Sequence, residues 1–299
     1  MTGARIPRFA FWLVLAAVIA ALPCRAQTES SSDEVTITPA AVVAGSPELI
    51  RVNAPAGATV EGEWLDRKLE FFRGRDGQAW YALAGVDVES PAGPSILRIS
   101  ARTEANAPID LSRTVEIHPA HYRTSTLTVA PKFVEPGPEE LERIKAESEL
   151  KDKVFAASAT EPLWSGDFRA PVRAGPTDSF GTRRTFNGEL ASIHKGMDFR
   201  AVTGTPVRAG NSGVVVLARP LYYEGNCVAI DHGLGLFTIS MHLSRIDVHE
   251  GERVSLGQRI GLSGATGRVT GPHLHWAVRW RGAYLDPAKL LRMDLSKVR

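Results

Sequence analysis

Cysteine and net charge are both scarce in this chain. It has 2 cysteines in 299 residues and a formal net charge of +2. Cys24 lies in an apolar N-terminal segment, so Cys227 has no partner and no disulfide is expected to stabilise the rest of the chain. We interpret Cys227, among strand-forming residues, as a small buried hydrophobic residue. The chain also lacks the basic excess that nucleic-acid binding requires, so we predict no nucleic-acid partner.

The apolar run at the N-terminus, Phe9 to Leu22, is too short to span a bilayer comfortably. It follows two arginines and precedes the segment "PCRA". This arrangement is typical of a secretory signal peptide, which we place at residues 1–26. Its removal takes away three arginines and leaves a net charge of −1. We therefore predict an exported protein, periplasmic or secreted, with an uncleaved membrane anchor as the weaker alternative.

The residue pattern of the remaining sequence changes twice. Residues 34–120 contain short alternating runs such as "VTITP" and "ILRISA", punctuated by Pro, Gly and Asn, which predict a β-sandwich-like domain. Residues 121–164 form a linker with a helix. Residues 165–291 are rich in glycine and in runs such as "GVVVLA", which predict an antiparallel β domain. The predicted fold class is therefore all-β, with no internal repeat.

The linker helix is indicated by its start. Pro138 is followed by two glutamates, which suit the positive end of the helix dipole. A weak apolar stripe follows, consisting of Leu141, Ile144, Val154 and Phe155. Because such a stripe needs an apolar surface to cover it, we expect the helix to lie against the C-terminal domain.

Two histidines stand one residue apart in "GPHLHW", residues 271–276. If this stretch is an extended strand, His273 and His275 lie on the same face. Neighbouring imidazoles suit a metal site or a general acid/base pair, but a polar strand without function has the same pattern. The stretch alone leaves these three interpretations open.

The segment "HKGMD", residues 194–198, offers partners for the two histidines. A turn at Gly196 can bring His194 and Asp198 together, and an imidazole and a carboxylate are ordinary zinc ligands. Either histidine of the pair could be the third ligand, and three protein ligands leave a position open for water. His242, in "SMHLS", follows a strand-like run and by itself also fits a buried core histidine.

The motifs "HKGMD", "MHLS" and "HLH", in this order, resemble those of the lysostaphin/LytM-type zinc metallopeptidases, a family that cleaves peptidoglycan. The similarity covers residues 165–291. It includes the framework segments "FGTRRTFNG", "GTPVRAGNSGVVV", "GNCVAIDHGLGLFTISMHLS" and "LDP". One short motif would be weak evidence, whereas the whole ordered set is specific.

The resemblance implies one zinc ion per chain, with His194, Asp198 and His275 as its ligands. It also implies that His242 and His273 are the catalytic histidines beside the metal. The expected activity is that of an endopeptidase acting on the peptide cross-links of peptidoglycan. Four other polar residues near the motifs are interpreted as structural, namely Arg184, Asn187, His232 and His249.

Two other functions use the same fold. A regulator that activates another cell-wall hydrolase would not need all five site residues, which are present here. A secreted protease acting on glycine-rich proteins would use the same site, and only the groove around it would differ. The N-terminal domain lacks wall-binding repeats and could orient the groove or dock an envelope protein partner.

The predicted leader can be tested directly. We expect N-terminal sequencing of the exported protein to start near Gln27, because the cleavage-site pattern ends at Ala26. An intact Met1 on a membrane-embedded form would contradict cleavage and favour the anchor.

Overall fold

The computed structural model describes residues 28–29, 34–55, 57–75, 77–103, 108–188 and 190–298. The predicted signal peptide lies outside the described residues and stays a prediction. Strands dominate the described ranges, so the predicted all-β class is confirmed. Within the same ranges, no helix combines the length and apolar character needed to cross a membrane.

The N-terminal part of the described chain forms two β-sheets. Its strands are β1 (Thr28–Glu29), β2 (Val35–Thr38), β3 (Val42–Val43), β4 (Pro47–Val52), β5 (Thr59–Trp64), β6 (Arg67–Glu70), β7 (Phe72–Arg73), β8 (Trp80–Gly85), β9 (Gly93–Arg102) and β10 (Ile109–His118). One sheet has the order β1-β10-β9-β5-β6, with β3 beside β10, and the other the order β2-β4-β8-β7. In β2, buried and exposed residues alternate, as expected for a strand with one face on a core.

The connecting segment contains regular structure of its own. Its elements are β11 (Thr124–Leu127), a 3-10 helix (Pro131–Phe133) and α1 (Pro138–Ala156). The helix starts at Pro138 with two glutamates in its first turn, as predicted. Leu141, which we had placed in its apolar stripe, is instead 53% exposed. The difference arises because the apolar contacts of the helix begin one turn later, at Ile144.

The helix α1 packs on the C-terminal part, as expected. Glu147 accepts a hydrogen bond from the backbone N–H of Tyr222 at 2.7 Å. Lys151 forms an ion pair with Glu224 at 2.6 Å. The Phe155 side chain packs on a buried apolar cluster of the C-terminal sheet. The helix is therefore attached to the C-terminal part by both polar and apolar contacts.

The C-terminal part of the described chain is built mainly from antiparallel strands. Its elements are β12 (Pro176–Asp178), β13 (Arg183–Phe186), β14 (Leu190–Ile193), β15 (Met197–Phe199), β16 (Pro206–Arg208), β17 (Gly213–Leu221), β18 (Gly225–Asp231), β19 (Leu236–Ile246), β20 (Arg253–Val254), β21 (Arg259–Ser263), β22 (Leu274–Trp280), β23 (Ala283–Leu285) and α2 (Pro287–Leu290). The main sheet has the order β12-β15-β22-β19-β18-β17-β20, with β16, β21 and β23 beside it. A smaller sheet has the order β11-β13-β14, in which β11 runs parallel to β13.

One continuous apolar core joins the N-terminal and C-terminal parts. The ring of Trp164 meets that of Phe72 edge-on, with their centroids 5.6 Å apart. Leu285 is fully buried, and a Cβ added to Gly85 would lie 2.4 Å from one of its methyl carbons. The glycine therefore allows β8 and β23 to approach closely.

We expect Leu285→Ala to lower the free energy of unfolding by about 2–5 kcal/mol, because it leaves a cavity in the shared core. Leu141→Ala is the matched control, since Leu141 is half exposed and its loss should change stability by less than about 0.5 kcal/mol. Denaturant unfolding of both variants measures the difference. Equal effects of the two substitutions would contradict the packing described here.

Candidate metal centre

Three side chains meet with their potential ligand atoms in contact. Asp198 Oδ1 lies 3.0 Å from His194 Nε2 and 2.9 Å from His275 Nδ1, and the two nitrogens are 3.0 Å apart. All three residues are buried. The structure thus brings together the three residues that were predicted as metal ligands, and they form a group able to hold a metal ion.

Strand pairing explains how distant residues meet here. The strands β15 and β22 are antiparallel neighbours in which Asp198 lies directly opposite His275, so their side chains project from the same face. His194 follows β14, where its backbone N–H donates to the Thr182 carbonyl at 2.9 Å. A Cβ added to Gly196 would lie 2.4 Å from His275 Nε2. Only glycine at this position therefore leaves room for the His275 ring.

Hydrogen bonds from outside the cluster orient two of its members. His194 Nδ1 lies 2.9 Å from the Ser179 carbonyl oxygen, which can only accept, so Nδ1 carries the proton and Nε2 keeps its lone pair. Arg184 donates to Asp198 Oδ2 at 2.7 Å and to Asp178 Oδ2 at 2.5 Å. With Oδ2 occupied in this way, Oδ1 is the Asp198 oxygen that faces the two histidines.

The ionisation states of the cluster suit metal binding. Burial raises the pKa of Asp198, but the close contacts with the His194 and His275 rings outweigh burial and hold that pKa well below its usual range. Burial lowers the pKa of His275, although Asp198 opposes this effect. An ionised carboxylate and a neutral imidazole are the forms in which these side chains bind metals.

The remaining two predicted site residues lie beside the cluster. The rings of His242 and His273 have centroids 5.0 Å apart, and the His242 ring is 6.0 Å from that of His275. His273 Nε2 is 3.7 Å from Asp198 Oδ1. All five predicted residues are therefore brought into one site.

Both of these histidines are held in the same tautomer. His242 Nδ1 lies 2.8 Å from the Thr266 carbonyl oxygen, and His273 Nδ1 lies 2.8 Å from that of Gly271. Because a carbonyl only accepts, each Nδ1 carries a proton and each Nε2 is free to accept one. Burial, followed by the neighbouring histidines, lowers the pKa of His242 to about 3.

The backbone of His242 is unusual and accounts for the direction of its ring. It lies within β19, although the sequence suggested that it follows the strand. Met241 is paired with His275, so in a regular strand the next side chain would point to the opposite face. His242 instead has φ = 62°, next to an irregularity in the pairing of β18 with β19. This left-handed conformation is uncommon for a residue other than glycine and is a feature of functional sites.

The five residues open into a groove of about 870 Å³. One wall comes from residues 123–129 of the connecting segment, and another from residues 268–273. Tyr223 and Glu224 also line the groove. The segment predicted as a linker therefore supplies part of the surface around the site.

The four residues interpreted as structural are placed differently from one another. His232 is buried and bonded to Ser212 and Thr238, His249 is on the surface and pairs with Glu252, and Asn187 bonds the backbone of Val129. Within the described part of the chain, none of these three forms a hydrogen bond, an ion pair or a ring contact with the five site residues. Arg184 differs, because it touches Asp198. Its partner lies on a separate sheet, so no local signal in the sequence indicated this contact.

The donor set defines the class of site. Two imidazole nitrogens and one carboxylate oxygen, with the Nδ1 of His194 held by a carbonyl, are typical of a metal-dependent hydrolase. The model of peptidase family M23 matches residues 192–287, the range that contains all five site residues. Residues 192–287 therefore form a peptidase family M23 domain, and the family resemblance seen in the sequence is confirmed.

Curated relatives match about a third of the chain. Peptidoglycan DD-endopeptidase ShyA of Vibrio cholerae serotype O1 is 52% identical over 96 residues, which are 32% of this chain and 22% of that protein. DD-carboxypeptidase/endopeptidase Mpg of Neisseria meningitidis serogroup B is 42% identical over 98 residues, or 33% and 23% of the two chains. The chain thus matches about a fifth of the length of these relatives.

A solved structure is similar over a much larger part of the chain. The crystal structure of a Pseudomonas aeruginosa protein assigned to the M23 peptidases has a TM-score of 0.63 and 26% sequence identity. The similarity covers 83% of this chain and 94% of that one. The likeness therefore extends well beyond the M23 domain.

Replacement of any one of His194, Asp198 and His275 by alanine should abolish metal binding, because each removes one of three ligands. His242→Ala and His273→Ala should retain the metal. Metal content after dialysis, measured by atomic emission, distinguishes the two groups. If His273→Ala empties the site while His275→Ala does not, the assignment of this pair is reversed.

Proposed function

We propose that this protein is a zinc-dependent endopeptidase that hydrolyses the peptide cross-links of peptidoglycan. The observation that carries the proposal is the site in which a buried His-Asp-His group lies beside two histidines whose Nε2 atoms can accept a proton. A regulator without activity would not require this complete arrangement. The M23 family match of the same residues supports an enzyme.

His194 Nε2, Asp198 Oδ1 and His275 Nδ1 would hold one zinc ion per chain. Nitrogen and oxygen donors of these types suit zinc, and three protein ligands are usual for a catalytic site. Bound zinc supplies Lewis acidity, which lowers the pKa of water and polarises an amide carbonyl. Arg184 holds Asp198 from the far side, so the carboxylate keeps its orientation during the reaction.

His242 and His273 carry out the proton transfers in this proposal. With Nδ1 bonded to a backbone carbonyl, each ring can accept a proton at Nε2 from the attacking water or return one to the leaving amine. General acid/base assistance of this kind contributes about 10²–10⁴-fold to the rate. The two rings lie side by side, so a proton has a short path from water to leaving group.

The site chemistry favours amides over glycosidic bonds. Glycosidases use two carboxylates on either side of the bond. In this groove Asp178 is paired with Arg184, Glu224 is paired with Lys151, and Asp198 belongs to the metal cluster. The names of the Vibrio relatives as peptidoglycan DD-endopeptidases support peptide cross-links as the substrate. We propose a D-alanyl bond to a diamino acid rather than a glycine bridge.

Export belongs to the same proposal. The leader-like segment at residues 1–26 would carry the protein to the periplasm or beyond, where peptidoglycan lies. The N-terminal sheets would then remain available to an envelope protein partner.

Digestion of purified cross-linked peptidoglycan by the zinc-loaded protein should convert cross-linked dimers into monomers with the glycan chains intact. Mass spectrometry of the fragments measures this conversion. A chelator should abolish it, and added zinc should restore it, because the chain's own residues cannot replace the metal. His242→Ala should retain zinc but lose about 10²–10⁴-fold in turnover.

Other products would exclude the proposal. New reducing sugar ends would indicate a glycosidase, and stem peptides released from the sugar would indicate an amidase. Cleavage of glycine-rich proteins with intact cross-links would indicate the secreted protease instead.

A further inference from the structure

Arg268 lines the groove and its guanidinium contacts the faces of two aromatic rings. Its guanidinium carbon lies 4.5 Å from the ring centroid of Phe186 and 4.6 Å from that of Tyr223. All three residues line the groove that contains the metal centre. Stacking on aromatic faces leaves the guanidinium donors available, because its N–H groups lie in the guanidinium plane and point away from its edges.

No carboxylate in the described part of the chain is bonded directly to the Arg268 guanidinium. Neither an ion pair nor a side-chain hydrogen bond joins it to any described residue. Arg184, on the same groove, is by contrast paired with Asp178 and Asp198. Glu224 acts on Arg268 only through space, because its carboxylate forms an ion pair with Lys151. A half-buried cation without a partner is costly unless an anion binds to it.

The backbone around Arg268 connects it to His242. Its N–H donates to the Tyr223 carbonyl at 2.8 Å. Two residues earlier, the Thr266 carbonyl holds His242 Nδ1, and Thr266 Oγ1 donates to the Leu243 carbonyl at 2.8 Å. The loop that carries Arg268 therefore also orients His242.

We propose that Arg268 binds a free carboxylate of the substrate peptide and so selects carboxylate-bearing cross-links. This inference rests on the proposed function, since it names a substrate feature recognised by the same groove. A planar guanidinium offers two parallel N–H donors that match the two oxygens of a carboxylate. A carboxamide at the same place would present one acceptor and no charge, and would bind more weakly.

The test compares two synthetic cross-linked peptides that differ only in having free carboxylates or carboxamides. The full zinc-loaded chain should cleave the carboxylate form with a kcat/KM about 10- to 100-fold higher, the range for a hydrogen-bonded charged pair. Arg268→Gln should reduce this ratio to near one. Arg268→Lys keeps the charge but not the paired donors, so its ratio should fall by several-fold.

Arg279→Gln is the matched control variant. The Arg279 guanidinium also stacks on two rings, 4.5 Å from Phe155 and 5.8 Å from Tyr284. Among the described residues, Arg279 is not one of those that line the groove. This variant should lose similar packing yet keep the wild-type preference for carboxylates. Thermal unfolding of each variant shows whether it is folded. If Arg268→Gln does not fold, the test rests on Arg268→Lys.

The outcomes separate the two proposals. Equal cleavage of both peptides by the wild-type chain would overturn the role of Arg268 and leave the endopeptidase function intact. A carboxylate preference that is unchanged in Arg268→Gln, or in Arg268→Lys, would overturn it as well. No cleavage of either peptide by the zinc-loaded chain would overturn both proposals.

Discussion

The rest of the site depends on how the Asp198 carboxylate is held. One oxygen, Oδ1, touches His194 and His275, while the other, Oδ2, accepts from Arg184. Removing the arginine would leave a buried carboxylate with a free oxygen that could turn away from the histidines. The paired strands β15 and β22 set the position of the carboxylate, and Arg184 sets its direction. The ligand geometry therefore needs both sheets of the C-terminal part.

Local sequence predicted the parts of the site that depend on short spacing. His194 and Asp198 are four residues apart across a glycine, and the "HLH" motif places its two histidines near one another. Regular strand geometry then explains why Asp198 and His275 meet. The family resemblance separated the roles of His273 and His275, which spacing alone had left open.

Three features of the site could not be predicted, because each depends on tertiary contacts. The role of Arg184 requires β13 to pack beside β15. The direction of the His242 ring requires a left-handed backbone at a residue other than glycine, which no propensity indicates. The stacking of Arg268 requires Phe186 and Tyr223, which come from separate parts of the chain.

Part of the groove surface comes from the segment before the M23 domain. The strand β11 pairs with β13 and lines the groove, and Asn187 bonds both polar backbone atoms of Val129 beyond that strand. Tyr122, just before β11, donates to the Ala44 carbonyl in the N-terminal part at 2.8 Å. The groove wall is thus anchored on both sides, whereas His194, Asp198 and His275 lie outside this segment. The N-terminal part therefore contributes, through Tyr122 and β11, to the position of the groove wall.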